Sequence, residues 1–322
     1  MRVLLLGGAG FIGLHCARRL IADGAEVTIV DDFSRGREDA DLEAVRASAG
    51  VDVMSGDLTD AATWAAIPHG WDSIYLLAAV VGVRNVEKDP ARVIRVNTLA
   101  ALNLIDWVTP GENVFFASTS EVYAGAVDLG FAKVPTPESV PAVVSDVSAP
   151  RFAYAASKLL GEAAFLHGAR ASGFRVVVGR FHNVYGPRMG ADHVIPEMSL
   201  RAARGEDPFR VWGADQHRAF CYVDDAVEAM VRLMATPEAN GQIVHIGNDS
   251  EETNIADLAK LVLGVAGVSP VIQPLPAPRG SVARRCPDLS RLRDLTGYQP
   301  MVALDEGVRR TFDWYQQSRR GT

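Results

Sequence analysis

The amino-acid sequence predicts an α/β protein built on a doubly wound parallel sheet, with a smaller α/β substrate-binding domain. Two observations predict the sheet: short apolar runs alternate with stretches of helical periodicity through the first half of the chain, and a glycine cluster follows the first apolar run. A third observation predicts the smaller domain. After about residue 180, proline and glycine interrupt the pattern more often, and irregular loops separate the predicted helices.

Each predicted strand is a run of about four residues bounded by turn-forming residues, as is typical of strands buried on both faces. The predicted strands are Val3–Leu6, Val27–Val30, Ile74–Leu77, Val114–Ala117, Arg175–Val178 and Ile243–Ile246. Helical periodicity predicts helices over Ile12–Ala22, Arg92–Val108 and Tyr154–Ala171, and over about 194–203, 224–235, 255–266 and 305–318. Strands that alternate with helices of this length require right-handed crossovers, and therefore a parallel sheet.

The predicted domain boundary lies near residue 180. Residues 1–180 are expected to form the first domain, to which 221–247 return, and residues 181–322 form most of the second. The segment Val127–Pro150 is rich in proline and shows no periodicity. A loop of this length in a compact domain is more often functional than idle.

Composition and charge exclude several classes of protein. The 322 residues are 48% hydrophobic, which supports a packed core without disulfides, and the net charge of −7 argues against a nucleic-acid surface. The three widely spaced cysteines form no CxxC motif, which fits a reducing cytoplasm. No apolar run is long enough to span a bilayer, and the histidines show no ligand spacing. We therefore expect a soluble protein with no membrane partner and no metal, in which every histidine is a packing or surface residue.

The glycine cluster Gly7-Gly8-Ala9-Gly10-Phe11-Ile12-Gly13 joins the first strand to the first helix. Glycine at positions 7, 10 and 13 allows a tight turn, close approach of backbone N–H groups to a pyrophosphate, and close packing of the helix against the strand. The pair Asp31-Asp32 ends the second strand, 18 residues after Gly13. A carboxylate there accepts hydrogen bonds from ribose hydroxyls and repels a 2′-phosphate, so the pattern predicts a Rossmann domain that binds NAD rather than NADP.

A second motif, Tyr154-Ala155-Ala156-Ser157-Lys158, places a phenol and an ammonium on one face of a predicted helix. A lysine held near a tyrosine favours the phenolate, so it is expected to lower the pKa of the phenol. The lowered pKa would let Tyr154 act as a base near neutral pH. A chance solvated face is the alternative, but few such pairs are expected in a chain with seven tyrosines and four lysines.

With these two motifs the chain resembles the extended short-chain dehydrogenase/reductases of the nucleotide-sugar-modifying branch, over nearly its whole length. Gly56-Asp57-Leu58 resembles that family's adenine contact, and Leu77-Ala78-Ala79 resembles the strand that lines its cofactor. The resemblance implies further residues at the NAD site besides the glycines, the two aspartates, Tyr154 and Lys158. These further residues are Phe11, Ile12, Asp57, Leu58, Leu77, Ala78, Ala79, Asn97 and Ser118.

The same resemblance implies where a UDP-sugar substrate binds. Arg180-Phe181-His182-Asn183-Val184-Tyr185-Gly186-Pro187-Arg188 is similar to the segment under the nicotinamide and sugar nucleotide, in which Asn183 contacts the diphosphate. The other implied substrate contacts are Ser120, Arg188, Arg218 and Arg285. The resemblance also implies a homodimer formed by the helices near 92–108 and 154–171.

The stretch Thr119-Ser120-Glu121-Val122-Tyr123 ends a predicted strand at the edge of the sheet where the cofactor is expected to bind. Its side chains should face the nicotinamide, so they indicate which enzyme of the branch the chain resembles. Thr119 can hydrogen-bond the sugar hydroxyl that is oxidised. Simple 4-epimerases usually lack the carboxylate of Glu121, whereas Thr-Ser-Glu-Val-Tyr resembles UDP-glucuronate decarboxylases of the UDP-xylose synthase type. The segment Ala149-Pro150-Arg151-Phe152-Ala153-Tyr154 favours the same group, since it is similar to the pre-tyrosine insertion of a bacterial decarboxylase.

The resemblance implies a lyase in which Thr119, Glu121, Tyr154 and Lys158 are catalytic. Oxidation at C4 of UDP-glucuronate would place the C6 carboxylate β to a ketone, so that CO2 can leave. The product would be UDP-xylose if the hydride is returned, and UDP-4-keto-pentose if NADH is released. Alternatives are a UDP-sugar 4-epimerase, a 4,6- or 5,6-dehydratase and, more remotely, an NAD-sensing regulator on the same fold.

Overall fold

The computed structural model describes residues 1–277 and 282–320. Its strands are β1 (Arg2–Leu6), β2 (Glu26–Asp31), β3 (Val51–Ser55), β4 (Ser73–Leu76), β5 (Asn113–Thr119), β6 (Arg175–Phe181), β7 (Val184–Tyr185), β8 (Phe209–Trp212), β9 (His217–Ala219), β10 (Cys221–Tyr222), β11 (Gln242–Ile246), β12 (Glu252–Asn254), β13 (Ile272–Leu275) and β14 (Arg284–Arg285).

Its helices are α1 (Phe11–Ala22), α2 (Ala40–Arg46), α3 (Ala61–Ala66), α4 (Val83–Lys88), α5 (Pro90–Trp107), α6 (Ala124–Asp128), α7 (Arg151–Ser172), α8 (Val194–Ala202), α9 (Val223–Ala235), α10 (Ile255–Ala266), α11 (Ser290–Thr296) and α12 (Leu304–Arg320). Short 3-10 helices cover Ser120–Tyr123 and Pro237–Ala239. Within the described ranges, no helix combines the length and apolar character needed to cross a membrane.

Seven of these strands form one parallel sheet in the order β11-β6-β5-β4-β1-β2-β3. The order reverses between β1 and β4, so the loops that follow these two strands flank a crevice at the carboxyl edge of the sheet. The doubly wound parallel sheet predicted from the sequence is confirmed. The observed edge strand β11 corresponds to the predicted strand Ile243–Ile246 and pairs with β6.

Alternating residues of the strands fill two separate apolar cores, one on each face of the sheet. Leu5 and Phe115 belong to one core, whereas their neighbours Leu4 and Phe116 belong to the other. The first core continues into the C-terminal part of the chain, where it includes Leu258 of α10. This continuity fixes the C-terminal elements against the carboxyl edge of the sheet.

The C-terminal part of the chain contains small sheets rather than one large one. β9 pairs with β12 and β14, β8 pairs with β13, and β7 pairs with β10. The pairing of β14 with β9 places Arg285 beside Arg218. A bridge between Thr136 and Pro287 ties the proline-rich segment to the same region.

The structure differs from the sequence prediction mainly at short elements. β3 is absent from the predicted strands because its residues are half-buried or exposed, so they form no apolar run. The helices α2, α3, α4, α6 and α11 are five to seven residues long, which is too short to show a periodic pattern.

Candidate active site

The glycine cluster forms a tight cradle between β1 and α1. Gly7 has φ +88°, and a Cβ on this residue would lie 2.4 Å from the backbone nitrogen of Ala78. A Cβ on Gly13 would lie 2.4 Å from the carbonyl oxygen of Gly7, whereas among the described residues a Cβ on Gly10 would meet only that same oxygen, at 3.3 Å. The cradle is therefore closed toward the sheet and open on its outer side. No side chain caps α1, so its N-terminal amides can bind a diphosphate, and this geometry fits a dinucleotide.

Asp31 lies at the end of β2 and is bound to the cradle. Its Oδ2 accepts a hydrogen bond from the Ala9 amide at 3.0 Å, and its Oδ1 accepts one from the Phe33 amide at 2.9 Å. Burial raises the pKa of Asp31, although these two amides oppose the rise. The neighbouring Asp32 accepts hydrogen bonds from the amide and hydroxyl of Ser34. Both carboxylates therefore shape the turn that an adenosine ribose would meet.

Arg188 lies on the cofactor side of the cleft, although the family resemblance implies a substrate contact. Its guanidinium donates to the carbonyl oxygens of Ala9 and Gly10 at 2.6 and 3.2 Å, and to Asp39 at 2.8 and 3.1 Å. The side chain is buried, with φ +69° at its own backbone. Because these acceptors already hold its N–H groups, Arg188 braces the outer wall of the glycine cradle.

Other expected cofactor residues contact the protein's own backbone. Asn97 on α5 accepts from the amide of Val80 at 2.8 Å and donates to the Val80 carbonyl oxygen and to Ser157 Oγ. Asn97 thereby fixes the loop that contains Ala79. Immediately before this loop, the amides of Leu77 and Ala78 donate hydrogen bonds to the Leu6 carbonyl oxygen.

The expected adenine contact at Asp57 and Leu58 forms a turn. Asp57 accepts from the amide and hydroxyl of Thr59, and the Leu58 carbonyl oxygen accepts from Trp64. Phe11 and Ile12 are partly buried at the start of α1, beside the cradle.

Tyr154 lies on α7 with its hydroxyl hydrogen-bonded to Thr119 at the end of β5. Burial and then the charge of Glu121 raise the pKa of Tyr154, while the Thr119 hydrogen bond and the charge of Arg35 oppose the rise. The expectation that Lys158 holds this pKa below its ordinary value is therefore wrong for the protein alone, because burial outweighs the nearby cations.

Lys158 lies one turn after Tyr154, and both side chains are directed to the same side of α7. Its ammonium is 6.0 Å from the centre of the Tyr154 ring and 4.9 Å from that of Phe116. Burial lowers the pKa of Lys158 to about 8, and the carboxylate of Glu162 opposes this shift. Lys158 is thus a cation that can lose its proton under mildly alkaline conditions.

A buried ion pair lies behind Lys158. Glu162 accepts two hydrogen bonds from Arg180, at 2.9 and 2.7 Å, and a third from the hydroxyl of Ser118. Ser118 is expected from the resemblance to bind the cofactor, but its hydroxyl is directed to this pair. The pair joins α7 to β5 and β6, and so holds Tyr154 and Thr119 in register.

Glu121 and Arg285 form an ion pair at the substrate side of Tyr154, with 2.5 Å between Oε1 and Nη1. Burial opposes the ionisation of Glu121, but Arg285, Arg151 and Arg218 together outweigh it, so its pKa is lowered. Burial and the like charge of Arg285 lower the pKa of Arg218 to about 10. Arg285, Arg151 and Arg218 all lie near enough to act on this carboxylate, and a site rich in arginine suits an anionic substrate.

The remaining expected substrate contacts line the same region. Asn183 adopts φ +41° and donates from Nδ2 to the Ala219 carbonyl oxygen at 3.0 Å. Arg218 donates to Gln216 and to the carbonyl oxygens of His217 and Ala283. Ser120 is buried at the start of the 3-10 helix that contains Glu121. No group of three or more metal-ligating side chains occurs in the described parts of the chain.

The model of the NAD dependent epimerase/dehydratase family matches residues 3–247. The chain belongs to this family. NAD is its cofactor, and the glycine cradle and Asp31 are the features of this structure that fit it. The family assignment confirms the resemblance to extended short-chain dehydrogenase/reductases, and it makes the protein an enzyme of that superfamily.

Three known proteins are similar in sequence to this chain over most of their length. A UDP-N-acetyl-alpha-D-glucosaminuronate decarboxylase of Bacillus cytotoxicus is 31% identical over 98% of both chains. UDP-glucuronic acid decarboxylase 1 of Danio rerio is 32% identical over 98% of this chain and 73% of the relative. The crystal structure of a UDP-glucose 4-epimerase of Thermus thermophilus with NAD is 27% identical, with TM-score 0.81 over 98% of this chain and 99% of the other.

Three residues at the site are absent from the set predicted from the sequence. Glu162 follows Tyr154 and Lys158 at the same spacing of four residues, so the helical pattern could have identified it. Arg151 precedes Tyr154 by one turn and acts on Glu121. Arg35 donates to the Val81 carbonyl oxygen and acts on Tyr154 from across the cleft, a contact that no local pattern in the sequence indicates.

Proposed function

We propose that this protein is an NAD-dependent UDP-glucuronic acid decarboxylase. The observation that carries the proposal is the Glu121–Arg285 ion pair beside Tyr154, with Arg151 and Arg218 close enough to lower the pKa of Glu121. An arginine-rich site suits a substrate that has both a diphosphate and a sugar carboxylate. The names of the two decarboxylase relatives support the same reaction type.

The first step is oxidation at C4 of the sugar. When bound, NAD supplies a hydride acceptor and a positive charge that favours the phenolate form of Tyr154. Tyr154 takes the proton of the C4 hydroxyl, while Thr119, hydrogen-bonded to the same phenol, orients that hydroxyl. Lys158, whose ammonium is 6.0 Å from the centre of the Tyr154 ring, stabilises the phenolate.

The second step is the loss of CO2. The C6 carboxylate is now β to the C4 ketone, so the electrons left at C5 delocalise into the carbonyl as an enolate. Tyr154, now protonated, and Thr119 donate hydrogen bonds to the enolate oxygen. Glu121 either orients the ring as the carboxylate paired with Arg285, or takes a proton from solvent and delivers it to C5 of the enolate. UDP-xylose would form if the hydride were returned to C4 while Tyr154 gave its proton back to the C4 oxygen, and UDP-4-keto-pentose would form if the reduced cofactor left first.

The two parts of the chain bind different ligands, NAD and the UDP-sugar. Residues 1–180, together with 221–247, hold NAD through the glycine cradle and Asp31. The remaining C-terminal residues hold the UDP moiety, with Asn183, Arg218 and Arg285 at the diphosphate and sugar. Ser120 lines the sugar site from the end of β5.

A UDP-sugar 4-epimerase is the second candidate, because the NAD complex with TM-score 0.81 is such an enzyme. An epimerase uses the same oxidation but keeps the carboxylate. The arginines around Glu121 disfavour a UDP-hexose 4-epimerase, since a neutral hexose offers them no group beyond its diphosphate. A UDP-hexuronate 4-epimerase would bind the same carboxylate, so the reaction product distinguishes it from a decarboxylase.

The test is incubation of the protein and NAD with UDP-glucuronate, UDP-N-acetylglucosaminuronate and UDP-glucose in separate reactions. Mass spectrometry and NADH absorbance follow each reaction. We expect UDP-glucuronate to lose the mass of CO2 and UDP-glucose to remain unchanged, whereas decarboxylation of UDP-N-acetylglucosaminuronate alone would refute the proposed substrate. Loss of the mass of water would indicate a dehydratase, and an unchanged mass with a new stereoisomer would indicate an epimerase. Either result would refute the decarboxylase proposal.

We also propose a homodimer formed through α5 and α7. Both helices have exposed large apolar side chains, among them Ile94, Leu102 and Leu160. Light scattering should give twice the mass of 34.6 kDa. Leu160→Glu should yield monomers, whereas Met301→Glu, at a more exposed apolar residue outside these helices, should not.

The protein is further proposed to act in the cytoplasm. Cys16, Cys221 and Cys286 are buried free thiols, a state that a reducing compartment preserves. Cell fractionation with an antibody to the chain tests this location.

A further inference from the structure

We propose that Tyr123, His182 and His245 form a one-directional hydrogen-bond relay that positions Glu121 and Arg285, with His182 donating to Tyr123, Tyr123 to His245, and His245 to the carbonyl oxygen of Asp288. The positioning role rests on the proposed function, whereas the direction of the hydrogen bonds does not. This proposal gives His182 and His245 a positioning role, whereas the sequence predicts that each of the seven histidines is a packing or surface residue.

The three side chains lie in the interior beneath the substrate site. Tyr123 Oη is 2.5 Å from His182 Nε2 and 3.3 Å from His245 Nε2, and His245 Nδ1 is 3.2 Å from the Asp288 carbonyl oxygen. Both histidines are fully buried, and Tyr123 is 2% exposed. In the described parts of the chain, His182 Nδ1 has no hydrogen-bond partner.

These contacts determine where each proton lies. A carbonyl oxygen only accepts, so His245 Nδ1 must have the proton, and in a neutral ring Nε2 is then an acceptor. Tyr123 therefore donates its single proton to His245. Its oxygen can only accept from His182, whose Nε2 must be protonated. Burial lowers the pKa of His245 to about 3 and keeps the pKa of His182 well below its ordinary value, so both rings are neutral.

The opposite order of donors and acceptors among these three side chains is less favourable. If Tyr123 donated to His182, the proton of His182 would lie on Nδ1, where a buried N–H would have no acceptor. An unpaired buried donor is rarer than an under-used acceptor. The proposed direction leaves only an unused lone pair on Nδ1.

Each member of the relay lies next to a residue of the substrate site. Tyr123 ends the 3-10 helix Ser120–Tyr123, which contains Glu121. His182 immediately precedes Asn183, and the Asp288 carbonyl that His245 contacts lies three residues after Arg285. The relay therefore links three chain segments, from β5, β6 and β14, whose ends must meet for Glu121 and Arg285 to pair. Tyr123, His182 and His245 are positioning residues, since they act through those segments.

The first test is on the wild-type chain and needs no activity. Long-range 1H–15N spectra of 15N-labelled protein at neutral pH distinguish the two neutral forms of histidine, and His182→Asn and His245→Asn assign the signals. We expect an Nε2–H form for His182 and an Nδ1–H form for His245. An Nδ1–H form for His182, or a charged ring at either position, would overturn the relay.

The second test separates positioning from general stability. Tyr123→Phe removes only the relay hydroxyl, and Tyr298→Phe is the matched control, because the Tyr298 hydroxyl is also buried and donates at 3.1 Å to Gly247. With 13C-labelled glutamate, we expect Tyr123→Phe to raise the pKa of Glu121 toward its ordinary value, and Tyr298→Phe to leave it unchanged. An equal effect of both variants, or none from Tyr123→Phe, refutes the positioning role.

The kinetic consequence is measured on the same variants. Tyr123→Phe should lower kcat for decarboxylation about tenfold, a change typical of one lost hydrogen bond, with NADH affinity unchanged. If wild-type protein decarboxylates no uronate, the proposed function fails, yet the histidine spectra and the Glu121 titration still decide the relay. If decarboxylation occurs and Tyr123→Phe lowers only thermal stability, the positioning role fails and the function stands.

Discussion

Glu121 and Arg285 are 164 positions apart in the sequence, and their side chains meet at 2.5 Å between Oε1 and Nη1. Glu121 belongs to the turn after β5, and Arg285 to the strand β14, which pairs with β9. The pair therefore closes the site between the large sheet and the C-terminal elements. The three nearby arginines lower the pKa of Glu121, which favours the ionised carboxylate in this pair.

The effects of Glu121→Gln and Arg285→Gln on kcat/KM should be non-additive. Each substitution leaves the other side chain without its partner, so each should lower kcat/KM for the uronate, while the double variant should lose less than the sum of the two free-energy changes. A coupling of ~0.5–3 kcal/mol is typical of side chains in contact. Steady-state kinetics of the four proteins give the coupling, and full additivity would show that the pair does not act as a unit.

Tyr154→Phe should abolish oxidation without affecting NAD binding. The substitution removes the base and its hydrogen bond to Thr119, so we expect a loss of about 10²–10⁴-fold in the rate of NADH formation. Isothermal titration with NAD should give the wild-type affinity. Tyr298→Phe, which removes a buried hydroxyl outside the site, should keep the full rate. A Tyr154→Phe variant that retains most of its activity would exclude Tyr154 as the base.

The pKa of Lys158, lowered to about 8, predicts an alkaline limit to activity. As the pH rises through this value the ammonium loses its proton, the phenolate loses its cation, and the rate should fall. In Lys158→Arg the guanidinium stays charged, so the falling limb should move to higher pH. A pH–rate profile of each protein measures the pH at which the rate falls. If the rate falls at the same pH in both proteins, the alkaline limit belongs to another group.

The same pKa predicts the opposite trend for stability. Between about pH 8 and about pH 10.4, the unfolded chain keeps the Lys158 proton that the folded chain has lost. The unfolded state then binds more protons, so this group's contribution to the free energy of unfolding rises with pH in that window and is constant below it. Denaturant titrations at several pH values should give a different slope of unfolding free energy against pH for wild type and Lys158→Met. A contribution of Lys158 to this free energy that falls with pH would contradict the lowered pKa.

Gly13→Ala should damage both the fold and NAD binding. Its Cβ would lie 2.4 Å from the Gly7 carbonyl oxygen and 2.6 Å from Gly8 Cα, so the helix must move away from the strand. We expect a destabilisation of about 1–3 kcal/mol, as for other overpacked sites. Gly264→Ala in α10 is the matched control, because a Cβ there meets nothing within 4 Å, and it should be neutral or stabilising by up to ~1 kcal/mol. Thermal unfolding with and without NAD measures both effects.

Local patterns in the sequence determined the sheet, the glycine cradle and the common face of Tyr154 and Lys158. A strand's apolar run, a turn's glycines and the spacing of a helix depend on neighbouring residues, so they are visible in the chain itself. Tertiary structure alone decided the partners of the long polar side chains. Arg285 reaches Glu121, Arg188 braces the cradle, and Ser118 donates its hydroxyl hydrogen to Glu162. These partners come from segments far apart in sequence, and which acceptor a side chain meets depends on how the C-terminal elements pack against the sheet. The proposed relay of Tyr123, His182 and His245 depends on the same packing, since burial lowers the pKa of both histidines and hydrogen-bond partners from separate segments set the position of each proton.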